Sequence, residues 1–420
     1  MDPSAHKIRV GVLFGGVAPE HEVSVITAQQ AIHVLDRELY EPVPVYIAKD
    51  GAWFVGDMLA DIQAFQDIER IRREAVPVHA VPGDAHALLL VEQKRAGWFA
   101  RRPRTYRLDV AFLALHGGSG EDGGVQGFLE MCNVPFTGSG IAGSSIGMDK
   151  ALSKYLCRDQ DIPVVDFLVL HESEWGDQEE AWLDHCEREL RYPVVVKPAC
   201  LGSSIGIAKA GDRKTLDRAI ENAFRYDRKL VVEHAVQQLK EINCAVLGRE
   251  DNAIVSVLEQ PLHIDSEELL TFQDKYMRGE PGGEAAKRGA RNAKQPEAGR
   301  GMASLDRIVP ALIDEKTAER IRAMALQVFR LLGCAGVARI DFMIDEADGA
   351  VYFNEINTIP GSFSFYLWEP AGISFGELVH RMIGLAFESH RARNRRIRTY
   401  DVNLLSETGL RGIKGAKSES

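Results

Sequence analysis

Val194–Gly206 reads VVVKPACLGSSIG: a run of β-branched residues delivers Lys197, and a loop of glycines and serines follows at 202–206. A strand ending on a lysine and entering such a loop suits an anion. Glycine lets the backbone approach closely, and backbone N–H groups with the Ser203 and Ser204 hydroxyls can cradle phosphate oxygens. No Gly-Lys-Ser/Thr closes the loop, so it is not a Walker A motif, and a β-hairpin turn is the competing account of the same residues. Upstream, Met148–Asp159 has a helical pattern that stops before Ile162-Pro163, because the residue before proline disfavours the α region. Downstream, the short β-type segments Ile205–Lys209 and Leu230–Glu233 flank a helix-like stretch, Leu216–Tyr226. Together these predict a small antiparallel α+β unit.

Further outward the rhythm changes. Arg9–Phe14 (RVGVLF) ends in Gly15-Gly16, a helical pattern covers Val23–Leu35, and Glu41–Ala48 is a second apolar run. With Val110–Leu115 (VAFLAL), which runs into His116-Gly117-Gly118, this predicts an open α/β sheet of parallel strands. The carboxyl ends of such strands carry the ligand crevice, so Gly15-Gly16 and His116 share one edge in this reading. Gly15-Gly16 is equally a tight turn, and without Gly-x-Gly-x-x-Gly spacing a dinucleotide site gains little support. On the other side lie Ile242–Leu247, Ile254–Leu258, Val337–Ile344 and Val351–Ile356, with an amphipathic helix over Lys316–Leu332. Ile321, Ala325, Val328 and Leu332 form its apolar stripe, and Gly333 suits its C-terminal cap.

The chain has 420 residues, 45% hydrophobic and 26% charged, with a formal net charge of −11. That is a multidomain globular composition, and the acidic balance argues against nucleic acid as a general partner. No apolar run approaches the roughly 20 residues that span a bilayer, and Met1–Arg9 has no signal-peptide core, so a cytoplasmic protein is expected. Cys132, Cys157, Cys186, Cys200, Cys244 and Cys334 are scattered and read as reduced thiols. Arg278–Ser304 has almost no large apolar residue and reads as a mobile loop. The arginine-rich end from His390 reads as a solvated tail, with contact to an acidic partner as the alternative.

Two further constellations carry chemistry. Alternation puts Arg339 and Asp341 on one face of a strand, and Glu355 and Asn357 on one face of another. Two carboxylates and an amide oxygen are hard ligands suited to Mg²⁺; a salt-bridged surface face is the alternative, against which the apolar neighbours speak. His21–Ser24 (HEVS) either caps a helix start or offers Glu22 to a cationic group at the crevice edge.

In chain order the sequence carries GVLFGG with HEVS, LHGGSGEDGGVQG (Leu115–Gly127), GSGIAGSSIGMDK (Gly138–Lys150), VVKPACLGSSIG, DKY (Asp274–Tyr276), GVARIDF (Gly336–Phe342) and NEINTIPG (Asn354–Gly361). This resembles the D-alanine–D-alanine ligases, ATP-grasp carboxylate–amine ligases, from about Arg9 to Ala386. The resemblance implies an N-terminal open parallel α/β domain (1–147) followed by a two-subdomain ATP-grasp fold. The central subdomain would span 148–236 and the C-terminal one 237–389, with a lid loop at about 271–309 and a basic tail at 390–420. It implies ATP, with Mg²⁺ or Mn²⁺, as cofactors and D-alanine as substrate, no membrane or nucleic-acid partner, and a homodimer.

Residue by residue, the resemblance assigns Lys150, Lys197 and Lys275 to ATP phosphates, with the Gly202–Gly206 loop, Ser203 and Ser204 included, closing over them. Glu233 would sit at the adenine and Glu241 at the ribose, while Asp341, Glu355 and Asn357 would hold the metal. Glu22 would receive the ammonium of the first amino acid with His116 nearby. Arg339 and the Gly361 amide would stabilise the oxyanion, and Tyr276 would reach from the lid toward Ser203 or Ser204. ATP would turn a carboxylate, a poor acyl donor, into an acyl phosphate that an amine attacks; positioning and charge neutralisation then dominate catalysis.

Two departures stand out. The lid carries the insert Arg278–Ser304, and Tyr366 stands where family members carry a serine for the second substrate's carboxylate, in a shortened run. Ser362 and Ser364 are the candidates to replace that serine. The main expectation is ligation of two D-alanines for peptidoglycan. A different acceptor (D-lactate, D-serine or another amine) and an inactive ATP-binding regulator are the alternatives.

Overall fold

The computed structural model describes residues 7–83, 87–93, 102–262, 307–400 and 402–403. The first sheet has seven strands: β1 (Ile8–Gly15), β2 (Tyr40–Ile47), β3 (Trp53–Val55), β4 (Val76–Pro82), β5 (Leu88–Glu92), β6 (Thr105–Leu108) and β7 (Val110–Leu113). From Val10 on, every residue of β1 is buried, as befits a central strand covered on both faces. It pairs in parallel with β2 and β7, which brings Gly15-Gly16 and His116 to one edge as expected. The expected parallel sheet, however, is parallel only across these three strands. β3 to β6 continue it antiparallel in the order β6-β5-β4-β3-β2-β1-β7, each of these strands pairing with its neighbour in sequence.

The second sheet is antiparallel, ordered β10-β9-β11-β8, from β8 (Phe167–His171), β9 (Val194–Pro198), β10 (Ala208–Ala210) and β11 (Lys229–His234). The helix Arg213–Ala223 covers it with Leu216, Ala219, Ile220 and Ala223. Strand β10 starts at Ala208, not Ile205, since Ser203, Ser204 and Gly206 all take positive φ and keep the loop open that far.

The third sheet, ordered β14-β13-β12-β15-β16, comprises β12 (Leu239–Arg249), β13 (Ile254–Pro261), β14 (Arg307–Ile308), β15 (Ala335–Asp345) and β16 (Ala350–Asn357). Its two faces differ. Ile242, Cys244, Val246, Ala338, Ile340 and Phe342 pack on the helix Glu315–Leu331, which Asp314 caps and which Gly333 (φ +65°) follows. Residues one position along face the other way. Ala245, Leu247 and Val337 join the core of the first sheet, and the rest of that face looks into a cleft.

The expected tail from 390 begins inside a helix. Phe375–Asn394 is helical from its Ser374 cap, and Leu378, Val379, Met382, Ile383 and Ala386 pack into the core of the first sheet. His390 is buried with Nε2 2.9 Å from the Asn133 carbonyl. Arg393 pairs with Glu130 at 3.0 Å and lies over the Phe136 ring. Apolar contacts at 378–386 thus carry the helix past the point where the arginine run suggested a solvated end. The insert 278–304 and residues 404–420 lie outside the described residues. All six cysteines are free, and no described helix is long and apolar enough to cross a membrane.

Candidate active site

Cross-strand register builds the site. Glu355, Asp341, Asn243 and Glu259 stand opposite one another across β16, β15, β12 and β13, and Asn357 stands opposite Arg339 in the next row on that face. Arg339 grips Asp341 with two N–H donors, at 2.7 Å and 2.6 Å, and Asn357 Nδ2 donates to Asp341 Oδ2 at 3.2 Å. Lys150, at the start of the helix Lys150–Asp159, lies 3.1 Å from Glu355 and donates to the Leu201 carbonyl at 2.6 Å. Lys197, at the end of β9, donates to Asn354 Oδ1 at 3.0 Å and is paired with Glu233, which lies 3.1 Å from Lys154. Glu241 sits two residues before Asn243 on the same face of β12.

These segments line a narrow cleft, whose walls include Lys150, Arg339, Glu355, Asn357, Gly361, Gly202, Ser203, His116, Glu20 and Glu121. Glu22, expected to face the ammonium, is absent from this lining. His21 is buried, with Nδ1 2.7 Å from the Gly16 carbonyl and Nε2 3.1 Å from the Tyr46 hydroxyl. The next residue of the helix His21–Val34 is turned about 100° away. Glu22 therefore leaves for solvent, 64% exposed, and pairs with Lys49 at 2.6 Å. Glu20, one position before the helix, faces the cleft instead and accepts the Ser203 hydroxyl at 2.8 Å. Its carboxylate lies between two glycines: a Cβ on Gly117 would come within 2.1 Å of Glu20 Oε2, and one on Gly202 within 2.6 Å of Oε1.

Burial sets the electrostatics. It lowers the His116 pKa to about 4, so the ring is neutral, with Nε2 2.9 Å from Thr27 Oγ1. It raises Glu121 to about 7, although Glu121 accepts the Gly117 N–H at 3.1 Å and the Ile359 N–H at 3.1 Å. Those two bonds tie the glycine turn after β7 to the loop after β16. Asp341 is raised to about 6 by burial, which the Arg339 guanidinium opposes. Burial disfavours the charge on Lys150 and on Glu233, but Glu355 holds Lys150 above the ordinary lysine value, and Lys154 and Lys197 hold Glu233 below the ordinary carboxylate value. Lys154, fully buried, is lowered by burial despite Glu233.

Ser362 and Ser364 are not among the residues that line this cleft. Both are buried below 2% exposure, in a turn where Ser362, Phe363 and Ser364 all take φ near +50°, and Phe363 packs on Phe112. That left-handed turn folds the two hydroxyls into the protein. Tyr366 follows it, and its hydroxyl donates to Glu259 at 3.2 Å. Lys275 and Tyr276 lie outside the described residues. Sequence reasoning missed Glu20, Glu121, Lys154 and the Glu259–Arg307 pair; for Glu20 a signal existed, since Glu20 and Glu22 cannot share a face at a helix start.

Asp341 and Glu355 face each other, and Asn357 turns its Nδ2 to Asp341, leaving its Oδ1 as an acceptor. Two carboxylates and one amide oxygen fit a hard divalent cation whose other ligands come from phosphate and water. Among the described residues no group of three or more His, Cys, Asp or Glu side chains could hold a metal ion by itself.

Residues 9–139 match the family "D-ala D-ala ligase N-terminus", and 156–384 match "D-ala D-ala ligase C-terminus". A D-alanine–D-alanine ligase of Thermosipho africanus is 36% identical over 397 residues, covering 94% of this chain and 98% of that relative. Among solved structures, the D-alanine–D-alanine ligase from Coxiella burnetii superposes with a TM-score of 0.73 at 27% identity, covering 96% of this chain and 100% of that one. The VanG D-Ala:D-Ser ligase from Enterococcus faecalis gives 0.70 at 26% identity, covering 91% and 100%.

Proposed function

The chain belongs to the D-alanine–D-alanine ligase family, and on that premise we propose how its own residues perform the ATP-dependent joining of two D-alanines. The family's product serves peptidoglycan precursors. Support for the assignment comes from one observation: Lys150, Arg339, Glu355, Asn357, Ser203 and Glu20, from separate segments of the chain, line the same cleft.

In this reading Lys150 and Lys197 bind the phosphates of ATP, and the loop 202–206 lays its backbone over them, as a glycine–serine loop allows. Glu233 and Glu241 serve the adenosine end. Glu20, not Glu22, receives the ammonium of the first D-alanine, with Ser203 holding the carboxylate in place. The γ-phosphoryl group passes to that amino acid's carboxylate. The second amine then attacks the carbonyl carbon: the C–N bond forms, the C–O bond to phosphate breaks, and phosphate leaves with the electron pair. Arg339 and the Gly361 N–H stabilise the oxyanion between those events. Asp341, Glu355 and Asn357 fit Mg²⁺ or Mn²⁺, which when bound neutralises phosphate charge. His116, kept neutral by burial, contributes an uncharged wall beside the donor.

The test is an acceptor panel of D-alanine, D-serine and D-lactate, with ADP and product masses measured together. D-alanyl-D-alanine formed in step with ADP is expected. ADP release with no ligated product, or a product only with D-lactate or D-serine, overturns the reading.

A further inference from the structure

The loop after β16 carries the Gly361 N–H, and the amides around it are held by two side chains that the chemistry above does not use. Ile359 N donates to Glu121 Oε1 at 3.1 Å, and Ser362 N donates to Thr27 Oγ1 at 3.1 Å. Pro360 has no N–H, and Phe363 N donates to the Pro360 carbonyl at 2.8 Å. The Gly361 N–H is therefore the one amide of 359–363 that none of these bonds takes up, and Gly361 lines the cleft. Both holders come from the N-terminal part of the chain. Glu121 also accepts the Gly117 N–H, and Thr27, 1% exposed, lies on the helix His21–Val34. One turn earlier, Ser24 donates to the Ala114 carbonyl at 2.7 Å and accepts the Gly15 N–H at 2.8 Å. The helix is thus pinned to the ends of β1 and β7 beside the residue that holds the loop.

His116 completes the mount. Its Nε2 lies 2.9 Å from Thr27 Oγ1, and the Ile359 backbone favours its protonated form, as a carbonyl accepting a ring N–H does. The buried ring is neutral and has one N–H to give. With that proton turned to Ile359, Nε2 accepts the Thr27 hydroxyl, which leaves the Thr27 lone pairs to the Ser362 N–H. We propose that Thr27, oriented by His116, and Glu121 are positioning residues of the oxyanion site: they suspend the loop 359–362 at its two ends and so aim the Gly361 N–H. This rests on the ligase reading above. An oxyanion donor must point at the oxygen of the tetrahedral intermediate, and a loop free to shift by about 1 Å loses that aim.

Thr27→Val keeps the side chain's shape but leaves the Ser362 N–H without its partner. It is expected to lower kcat about 10- to 100-fold, with the half-saturation constants for ATP and D-alanine within about twofold. Affinity for a phosphinate analogue of the dipeptide, which mimics the tetrahedral centre, should fall by the same factor as kcat. Thr27→Ser keeps the hydroxyl and should bring kcat to within about threefold of the wild type. Glu121→Gln offers the Gly117 and Ile359 N–H groups only one oxygen and should lower kcat about threefold to tenfold, a second reading where Thr27→Val does not fold. ¹⁵N spectra of the wild type should show the His116 proton on Nδ1. A kcat within about twofold of the wild type in either folded variant overturns this inference alone. So does a Thr27→Ser variant as slow as Thr27→Val, or a His116 proton on Nε2. A wild type that forms no dipeptide overturns the ligase reading and this one with it.

Discussion

Glu20 and Glu22 stand two residues apart and do opposite things. One faces the cleft between Gly117 and Gly202; the other meets Lys49 in solvent. Glu20→Gln should raise the half-saturation constant of the donor amino acid about 10- to 100-fold, because a buried charge-assisted contact is lost. Glu22→Gln should change it less than about twofold, as an exposed ion pair contributes little. Steady-state kinetics on both variants checks the pair, and equal effects would contradict the assignment. At this scale much of the site was legible. Strand alternation alone put Arg339 with Asp341 and Glu355 with Asn357, since period two tolerates no other arrangement. Helix starts are less readable: a shift of one residue turns a side chain about 100°, and it is the buried His21 that decides which glutamate points inward.

Elements were legible where their apolar pattern was strong. β1, β2, β9 and the helix Glu315–Leu331 fall close to their expected bounds. The rest depends on partners distant in sequence. The antiparallel extension of the first sheet follows from chain returns that no local pattern records. The helix Phe375–Asn394, anchored by its apolar contacts at 378–386, runs on beyond 390, where His390 and Arg393 meet Asn133 and Glu130. Two substitutions rank its anchors. Leu378→Ala, at a fully buried position of the first core, should cost about 2–5 kcal/mol, read as a lower midpoint in urea. Arg393→Ala should cost no more than about 1 kcal/mol, since its ion pair with Glu130 is partly exposed. The reverse ranking would mean that charge, not burial, holds the helix.

Across the whole molecule, the cleft neutralises itself. Arg339 occupies Asp341, Lys150 occupies Glu355, and Lys197 occupies Glu233. In the proposed reading bound phosphates would draw the lysines away and free Glu355, so nucleotide and metal should bind as partners. Calorimetry with a non-hydrolysable ATP analogue should show Mg²⁺ binding at least about tenfold tighter when the nucleotide is present, with the same factor in reverse. Mg²⁺ bound equally well alone would contradict this.

Stability should depend on pH through two buried groups of opposite sign. Glu121 titrates near 7 when folded and 4.5 when unfolded, so its contribution is full below pH 4.5 and is lost as pH rises through 7. His116, lowered to about 4 from 6.5, contributes above pH 6.5 and loses that as pH falls toward 4. Urea unfolding of Glu121→Gln should flatten the decline between pH 4.5 and 7, a difference on the order of 3 kcal/mol. An unchanged profile would place the Glu121 carboxyl in water.

The central claim is that this cleft activates a D-alanine carboxylate by phosphorylation and hands it to a second D-alanine. The most direct measurement uses D-alanine labelled with ¹⁸O in its carboxylate, with ATP and Mg²⁺, and reads both products by mass. Labelled oxygen in the released phosphate, alongside D-alanyl-D-alanine, is the predicted result. Dipeptide accompanied by unlabelled phosphate would contradict it.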